Sequence, residues 1–262
     1  MCICLKSSTF AAVFIGMERM RSHLLMRSVL DLMYPPLCPL CERLLRGDVR
    51  ICEACMKTLP RTEQHLLRGN QTEEHLVRNT RVEKAASFLY YLPSLLPAAF
   101  GNGHEQDAGR LLRLIKYSNR PELATFLAEA AAREWQETGF WEDIDLIIPI
   151  PLHPRRLRQR GYNQSLFIAR GLSNVTGIPV DTTHLLRTHN NRHQARLGEQ
   201  KRVENVQGIF SLVRPEELKG KHILFVDDII TTGNTILSAL KPFQNIRSCR
   251  FTVFALAVTR HT

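Results

Sequence analysis

No apolar run in the chain approaches the roughly 20 residues that cross a bilayer, which excludes a membrane-spanning helix. Acidic residues are in deficit: 25 Asp and Glu stand against 35 Lys and Arg, and the net charge is +10. That balance points to polyanionic partners such as nucleic acid or phosphorylated metabolites, although a merely solvated basic surface has the same composition. Aromatic side chains make up only 7% of the chain. Near the paired cysteines described next, Tyr34 stands alone, which argues against a stacking platform for single strands there. Apolar residues are not in deficit. At 44% they match a globular chain and exclude a disordered one.

The 262 residues hold one sizeable α/β core plus a small module. An apolar stretch from Phe10 to Met17 has signal-peptide length, but Lys6 is a thin basic region and Gly16-Met17-Glu18 a poor cleavage context. Met17 and Met20 are alternative starts, so residues 1–26 are expected to be a leader from a mis-assigned start. Residues 27–37 read as a short amphipathic helix stopped by Pro35-Pro36. Cys38-Pro39-Leu40-Cys41 and Cys52-Glu53-Ala54-Cys55 follow, with Gly47-Asp48 as the turn between them. Two such knuckles can present four thiolates to one tetrahedral zinc. Two disulfides, which need an oxidising compartment, or a redox pair are the alternatives. Cys2, Cys4 and Cys249 are expected to be bystanders, as are His65 and His75, since four cysteines close the zinc shell.

The most informative stretch runs from Lys221 to Thr235. Ile223 to Val226 is a short apolar run that reads as a strand buried on both faces. Asp227 and Asp228 are expected at its carboxyl end, followed by a loop of Thr231, Thr232, Gly233, Asn234 and Thr235 and a helix ended by Pro242. In an open α/β sheet, ligands sit at the carboxyl ends of strands. Gly233 lets backbone amides approach an anion, and the threonines add hydroxyls, which makes a phosphate cup. The paired carboxylates repel phosphate. They suit vicinal hydroxyls or a divalent cation bound through oxygen. Phosphoribosyl pyrophosphate (PRPP) carries a phosphate, a diol and a metal-bound group in that order. An ordinary capped turn would need only a looser pattern. The unbroken order resembles the fingerprint of the type I phosphoribosyltransferase fold.

The remaining elements fit an α/β chain. Residues 61–83 are polar without a sustained period and read as a connection, with a strand at 85–92 and a loop at 93–103. Helices are expected at 107–117 and 121–137, and a buried strand at 144–149. A loop bearing Arg155, Arg156, Arg158 and Arg160 follows; guanidinium forks there match the oxygens of pyrophosphate, or of a nucleic-acid backbone. A helix opens at Tyr162-Asn163-Gln164-Ser165, an edge strand is expected at 178–186, and the last strand at 251–258. Residues 187–206 are polar and very basic, which reads as a mobile lid over the PRPP site.

The assembled pattern resembles the ComF/GntX family, phosphoribosyltransferase-like proteins associated with bacterial competence. The residues that carry the resemblance are Tyr34-Pro35-Pro36 with Cys38 and Cys41, and Leu114-Ile115-Lys116-Tyr117. Further matches are Ile148 to His153, Arg160-Gly161-Tyr162-Asn163-Gln164, the basic loop from Gln194 to Asn205, and the acidic-threonine stretch. The resemblance implies a type I phosphoribosyltransferase-like parallel sheet with helices on both faces, plus a small N-terminal Cys4 zinc module. The implied division is a zinc-binding module at 27–60, a linker and hood-like segment at 61–104, and a phosphoribosyltransferase-like domain at 105–262. Structural Zn²⁺ would go to Cys38, Cys41, Cys52 and Cys55. The ribose diol or Mg²⁺ would go to Asp227 and Asp228, and the 5′-phosphate to Thr231, Thr232, Gly233, Asn234 and Thr235. Pyrophosphate and lid candidates are Arg155, Arg156, Arg160, Lys116, Lys201 and Arg202.

The implied protein is cytoplasmic, binds PRPP and single-stranded DNA, works with other DNA-uptake proteins in natural transformation, and has no membrane insertion. Two other functions remain open: a transferase that moves ribose 5-phosphate from PRPP to an amine or nucleobase, and a PRPP-sensing regulator. Thr231 argues against a 6-oxopurine acceptor, since that chemistry calls for an acid–base group at this place and a threonine at pH 7 offers none. Arg43, Arg46, Arg50 and Lys57 around the knuckles would add phosphate contacts of the sequence-tolerant kind.

Overall fold

The computed structural model describes residues 35–76, 81–91, 105–187 and 208–260. The chain divides into two compact units, Met1–Met56 and Lys57–Thr262. Residues 27–34 of the expected helix, the loop at 93–103, and Lys201 and Arg202 of the expected lid lie outside the described residues.

In the first unit a tight antiparallel turn brings Leu37 opposite Leu44. It is closed by Cys38 N–H to Arg43 O (2.8 Å), Glu42 N–H to Cys38 O (2.9 Å) and Leu45 N–H to Pro36 O (2.8 Å). The second knuckle is the start of a short helix, α1 (Glu53–Thr58), whose first carbonyl, from Cys52, accepts from Met56 N–H at 2.9 Å.

The second unit is built on a four-stranded, all-parallel sheet. Its strands are β1 (Val82–Tyr91), β2 (Leu146–Pro149), β5 (His222–Ile230) and β6 (Arg250–Thr259), in the order β1-β6-β5-β2. β5 and β6 are central and almost wholly buried, which is why they read as continuous apolar runs. Alternation along β5 sends Ile223 and Phe225 to one face. There they pack with Phe251 and Val253 of β6 against Ile236, Ala239, Leu240 and Phe243, from α7 (Asn234–Leu240) and the 3-10 turn after it. The other face carries α4 (Pro121–Glu134) and α6 (Gln164–Thr176). Those two helices touch closely: a Cβ on Gly171 would lie 2.4 Å from the Thr125 carbonyl. α3 (Glu105–Tyr117) lies against β1.

Three elements differ from the sequence-based expectation. The arginine-rich stretch is a helix, α5 (Pro154–Arg160), rather than a loop: Pro154 sits at its start, His153 Nδ1 accepts from Arg155 N–H (3.2 Å), and Gly161 ends it at φ 79°. Proline at a first helical turn needs no amide hydrogen, so the sequence reads as a loop while starting a helix. The expected edge strand at 178–186 is one parallel rung at Val180 beside Ile147, then a separate two-stranded ribbon. That ribbon is β3 (Leu185–Arg187) paired antiparallel with β4 (Phe210–Leu212), flanking the basic stretch.

The third difference is the polar segment 61–76, which is an ordered flap over the outer edge of β1 and not a plain connection. A 3-10 turn (Gln64–Leu66) and α2 (Gln71–Glu74) carry it. Asn70 caps α2, accepting from Thr72 N–H (3.0 Å) and Glu73 N–H (3.1 Å), while its amide donates to Ala85 O (2.9 Å) on β1. Buried Thr72 and Ser87 share a hydroxyl bond of 2.9 Å, and Gln64 Oε1 accepts from Ser87 N–H (3.2 Å). An edge strand must have its outward amides and carbonyls met. Here side chains do it, so no apolar period betrays the packing. His65 is stacked on Trp135 at 4.3 Å.

Candidate functional site

The acidic pair lies inside β5, not beyond it, because pairing with Ala255 and Ala257 of β6 carries the strand on to Ile230. Asp227 Oδ1 accepts from its neighbour's amide, Asp228 N–H (2.9 Å), and from Ser165 Oγ (3.1 Å) at the start of α6. Lys116, one residue from the end of α3, places Nζ 3.2 Å from Asp228 Oδ1. Burial first, and the Asp228 charge second, push the Asp227 carboxyl up to about 7, against the pull of Ser165 and Lys116. Two carboxyls share one cation, so a second cation at the site would favour ionisation of both, and either form of Asp227 keeps oxygens for hydroxyl donors.

The Arg160 to Gln164 stretch explains how Lys116 is aimed. The Tyr162 hydroxyl donates to the carbonyl of Ile115, fixing the last turn of α3. Asn163 donates to Ile150 O (3.0 Å) at the end of β2 and caps α6 by accepting from Ser165 N–H (3.2 Å). One short motif therefore ties α3, β2 and α6 to the acidic pair.

After β5 the chain turns through Thr231, Thr232 and Gly233 into α7. Thr231, Thr232, Asn234 and Thr235 are exposed, and Gly233 is buried at φ 71°. A Cβ there would lie 2.6 Å from the His75 carbonyl, so glycine is required both by the backbone angle and by the flap pressed on the turn. Among the described residues no side chain caps α7.

Of the arginines on α5, Arg155 and Arg158 are exposed while Arg156 and Arg160 are half-buried. Arg160 lies over the Tyr117 ring, 5.5 Å from its centre, rather than at the acidic pair. Arg187, the first residue of the basic stretch, does feel the Asp227 charge. It ends β3, its guanidinium rests on the Phe210 ring at 5.2 Å, and its buried Nε has no partner among the described residues. Burial, then the Arg156 charge, lower its pKa, while the Asp227 charge raises it. Its signal was its place: it follows Leu185 and Leu186 and opens the basic stretch.

In the first unit the sulfurs of Cys38, Cys41, Cys52 and Cys55 lie within 4.8 Å of one another, and Cys41 and Cys52 are 3.6 Å apart. A tetrahedral zinc with bonds of about 2.3 Å spaces its thiolates about 3.8 Å apart, so the cluster fits that ion. No disulfide joins these four. Burial alone would raise the Cys38 thiol, but amides of Cys52, Cys41 and Leu40 outweigh it and bring it down to about 6. The Cys55 thiol is pushed up by burial and by its three sulfur neighbours. Four thiols so close ionise together only around a cation.

Among the described residues no helix is long and apolar enough to cross a membrane. Residues 29–66 match a family model described as a double zinc ribbon domain, and residues 167–261 one described as a phosphoribosyl transferase domain. The DNA utilization protein YhgH of Escherichia coli (strain K12) is 30% identical over 203 residues, covering 76% of this chain and 80% of that protein. YhgH of Salmonella typhimurium is 28% identical over 216 residues, covering 81% and 86%. Competence protein F of Haemophilus influenzae is 30% identical over 151 residues, covering 56% and 66%.

Proposed function

This chain belongs to the ComF family, and from that premise we propose that it is a cytoplasmic protein that binds PRPP with Mg²⁺ through its Lys57–Thr262 unit and acts on single-stranded DNA taken up in natural transformation. The observation that carries the reading is the joined arrangement at the end of β5. A Lys116-balanced acidic pair leads directly into an exposed, hydroxyl-rich turn whose glycine adopts a positive φ. Asp227 and Asp228 take the ribose hydroxyls and the cation. Thr231, Thr232, Gly233, Asn234 and Thr235 take the 5′-phosphate through hydroxyls and amides. Arg155, Arg156 and Arg187 are assigned to the pyrophosphate, and Lys201 and Arg202 to a lid over it. Bound Mg²⁺ supplies positive charge to the pyrophosphate oxygens. Structural zinc in the four-cysteine cluster holds the N-terminal module. The DNA role is supported by the names of the relatives, which speak of DNA utilization and competence.

Titration calorimetry with PRPP, with and without Mg²⁺, tests the reading. Wild type should bind only with the cation, and Asp228→Asn should not bind while keeping its circular dichroism. Equal binding by Asp228→Asn, or none by wild type, sinks the proposal. Pyrophosphate release against a panel of amines, bases and oligonucleotides then separates a ligand-binding protein from a transferase.

A further inference from the structure

Tyr117 closes α3 with 72% of its surface open, although it is one of the largest apolar-bodied side chains in the unit. It does not pack a core. The side chain it meets is Arg160, whose guanidinium lies 5.5 Å from its ring centre. Arg160 ends α5. Leu157, three residues earlier, shares its helix face and is 41% exposed. Arg155 and Arg158 are open to solvent on the same short helix. Among the described residues none of these arginines pairs with a carboxylate. The patch is thus an aromatic face, a stacked guanidinium and an apolar side chain, rimmed by uncompensated positive charge.

Its position is fixed, not incidental. The Tyr162 hydroxyl holds the carbonyl of Ile115, and Lys116 is anchored on Asp228 at 3.2 Å. Tyr117 is therefore one residue from a side chain bound to the acidic pair. Arg156 has its own calling there, since it and Arg187 feel each other's charge beside Asp227. Arg158 and Arg160 are not among the groups assigned to that anion site and are left over. A π-face with cations spaced along a helix is complementary to an unpaired base on a phosphate backbone, because every base offers a face to stack and every linkage a charge. A duplex hides its base faces and would use the arginines alone.

We propose that Tyr117 and Arg160 form a stacking platform for a base of single-stranded nucleic acid, whose backbone runs along the arginines of α5. This rests on the reading of the protein as one that handles single strands, and it locates that activity beside the acidic pair and not only at the cysteine knuckles. The full-length protein is titrated with fluorescein-labelled dT20, followed by anisotropy, and with a duplex of the same length. Tyr117→Ala should weaken dT20 about tenfold and leave the duplex within twofold. Tyr117→Phe should bind dT20 like wild type. Arg158→Gln should weaken both and lower the salt slope by about one. In Tyr117→Trp, dT20 should quench the added emission.

Unchanged dT20 affinity in Tyr117→Ala overturns the platform, as does an equal loss for duplex and single strand, or a wild-type protein that does not bind dT20. PRPP titration of Tyr117→Ala keeps the two readings apart. If dT20 is weakened with PRPP binding intact, the platform stands by itself. If wild type binds dT20 through Tyr117 but never binds PRPP, the pocket assignment fails and the platform survives.

Discussion

In residues 35–56 the buried apolar side chains are Pro39, Leu45 and Ile51, beside Cys38 and Cys52. Around β5 they include Phe225, Phe243 and Phe251, which meet edge to face with ring centres 5.3 to 5.6 Å apart, and on the other side Trp135 against Phe254 at 5.4 Å. A handful of apolar groups cannot offset the ordering of about twenty residues, whereas the sheet can order its own chain. The difference teaches where each unit is vulnerable: one to loss of a cation, the other to loss of volume.

The largest expected effect follows from the first. Structural zinc binding in such modules is worth about 10–16 kcal/mol at neutral pH, and it is folding energy. Stripping metal with a chelator, or Cys38→Ser, should abolish one equivalent of bound zinc and open residues 35–56 to trypsin at Arg43, Arg46 and Arg50. Resistance at those sites after chelation would erase the contrast. The second effect is smaller. Phe225→Ala should cost about 3–5 kcal/mol in urea unfolding, because the two remaining rings, Phe243 and Phe251, cannot collapse onto the hole. A loss under 1 kcal/mol would mean that the sheet is not held by this cluster.

Within the sheet unit, function and stability should pull apart at the acidic pair. Asp227 is held beside a like charge, with its carboxyl pushed up to about 7. Asp227→Asn removes a repelling charge and keeps an oxygen for Ser165 and for the Asp228 amide. It should raise stability by about 1 kcal/mol at pH 7.5 while PRPP binding is lost. A variant less stable than wild type would show that the pair is held by its hydrogen bonds more than it is strained by its charge.

The parts of this molecule that were legible before any coordinates were those written in apolar period. β5, β6, α3, α4 and α6 announce themselves through Ile, Leu, Val and Phe, and the resemblance to a phosphoribosyltransferase-like sheet with a four-cysteine module matches the sheet, the helices and the sulfur cluster observed. The acidic pair was legible as chemistry, but the end of its strand was set too early, since Asp227 and Asp228 interrupt the apolar run while the backbone ladder continues through them to Ile230. The flap was illegible for a physical reason. Thr62, Gln64, Asn70, Thr72 and Ser87 are buried by bonding to one another and to β1, and buried polar networks leave no hydrophobic trace. Tyr117 was hidden in the opposite way. At the end of an amphipathic helix it passes for one more core residue, and only its exposure and the arginine above it reveal otherwise.

The smallest expected effect sharpens the contrast further by testing the end of β5 away from the acids. His222 is buried, with Nε2 2.9 Å from Thr252 Oγ1. Burial, and next the Arg250 cation, lower its pKa below the usual histidine value; Lys84 adds to this, and Glu83 opposes it. The unfolded chain therefore takes up the proton first, near pH 6.5, so His222 favours the fold above that pH and its contribution drains away as pH falls toward the folded value. Lost thiolate–metal bonds also weaken the protein in acid, but they act equally in wild type and in His222→Gln. The stability gap between those two proteins isolates the histidine. In urea unfolding that gap should be smaller at pH 5.0 than at pH 7.5. A gap that stays level or widens in acid would mean that His222 is charged in the fold, and that the acid sensitivity of the sheet unit comes from elsewhere.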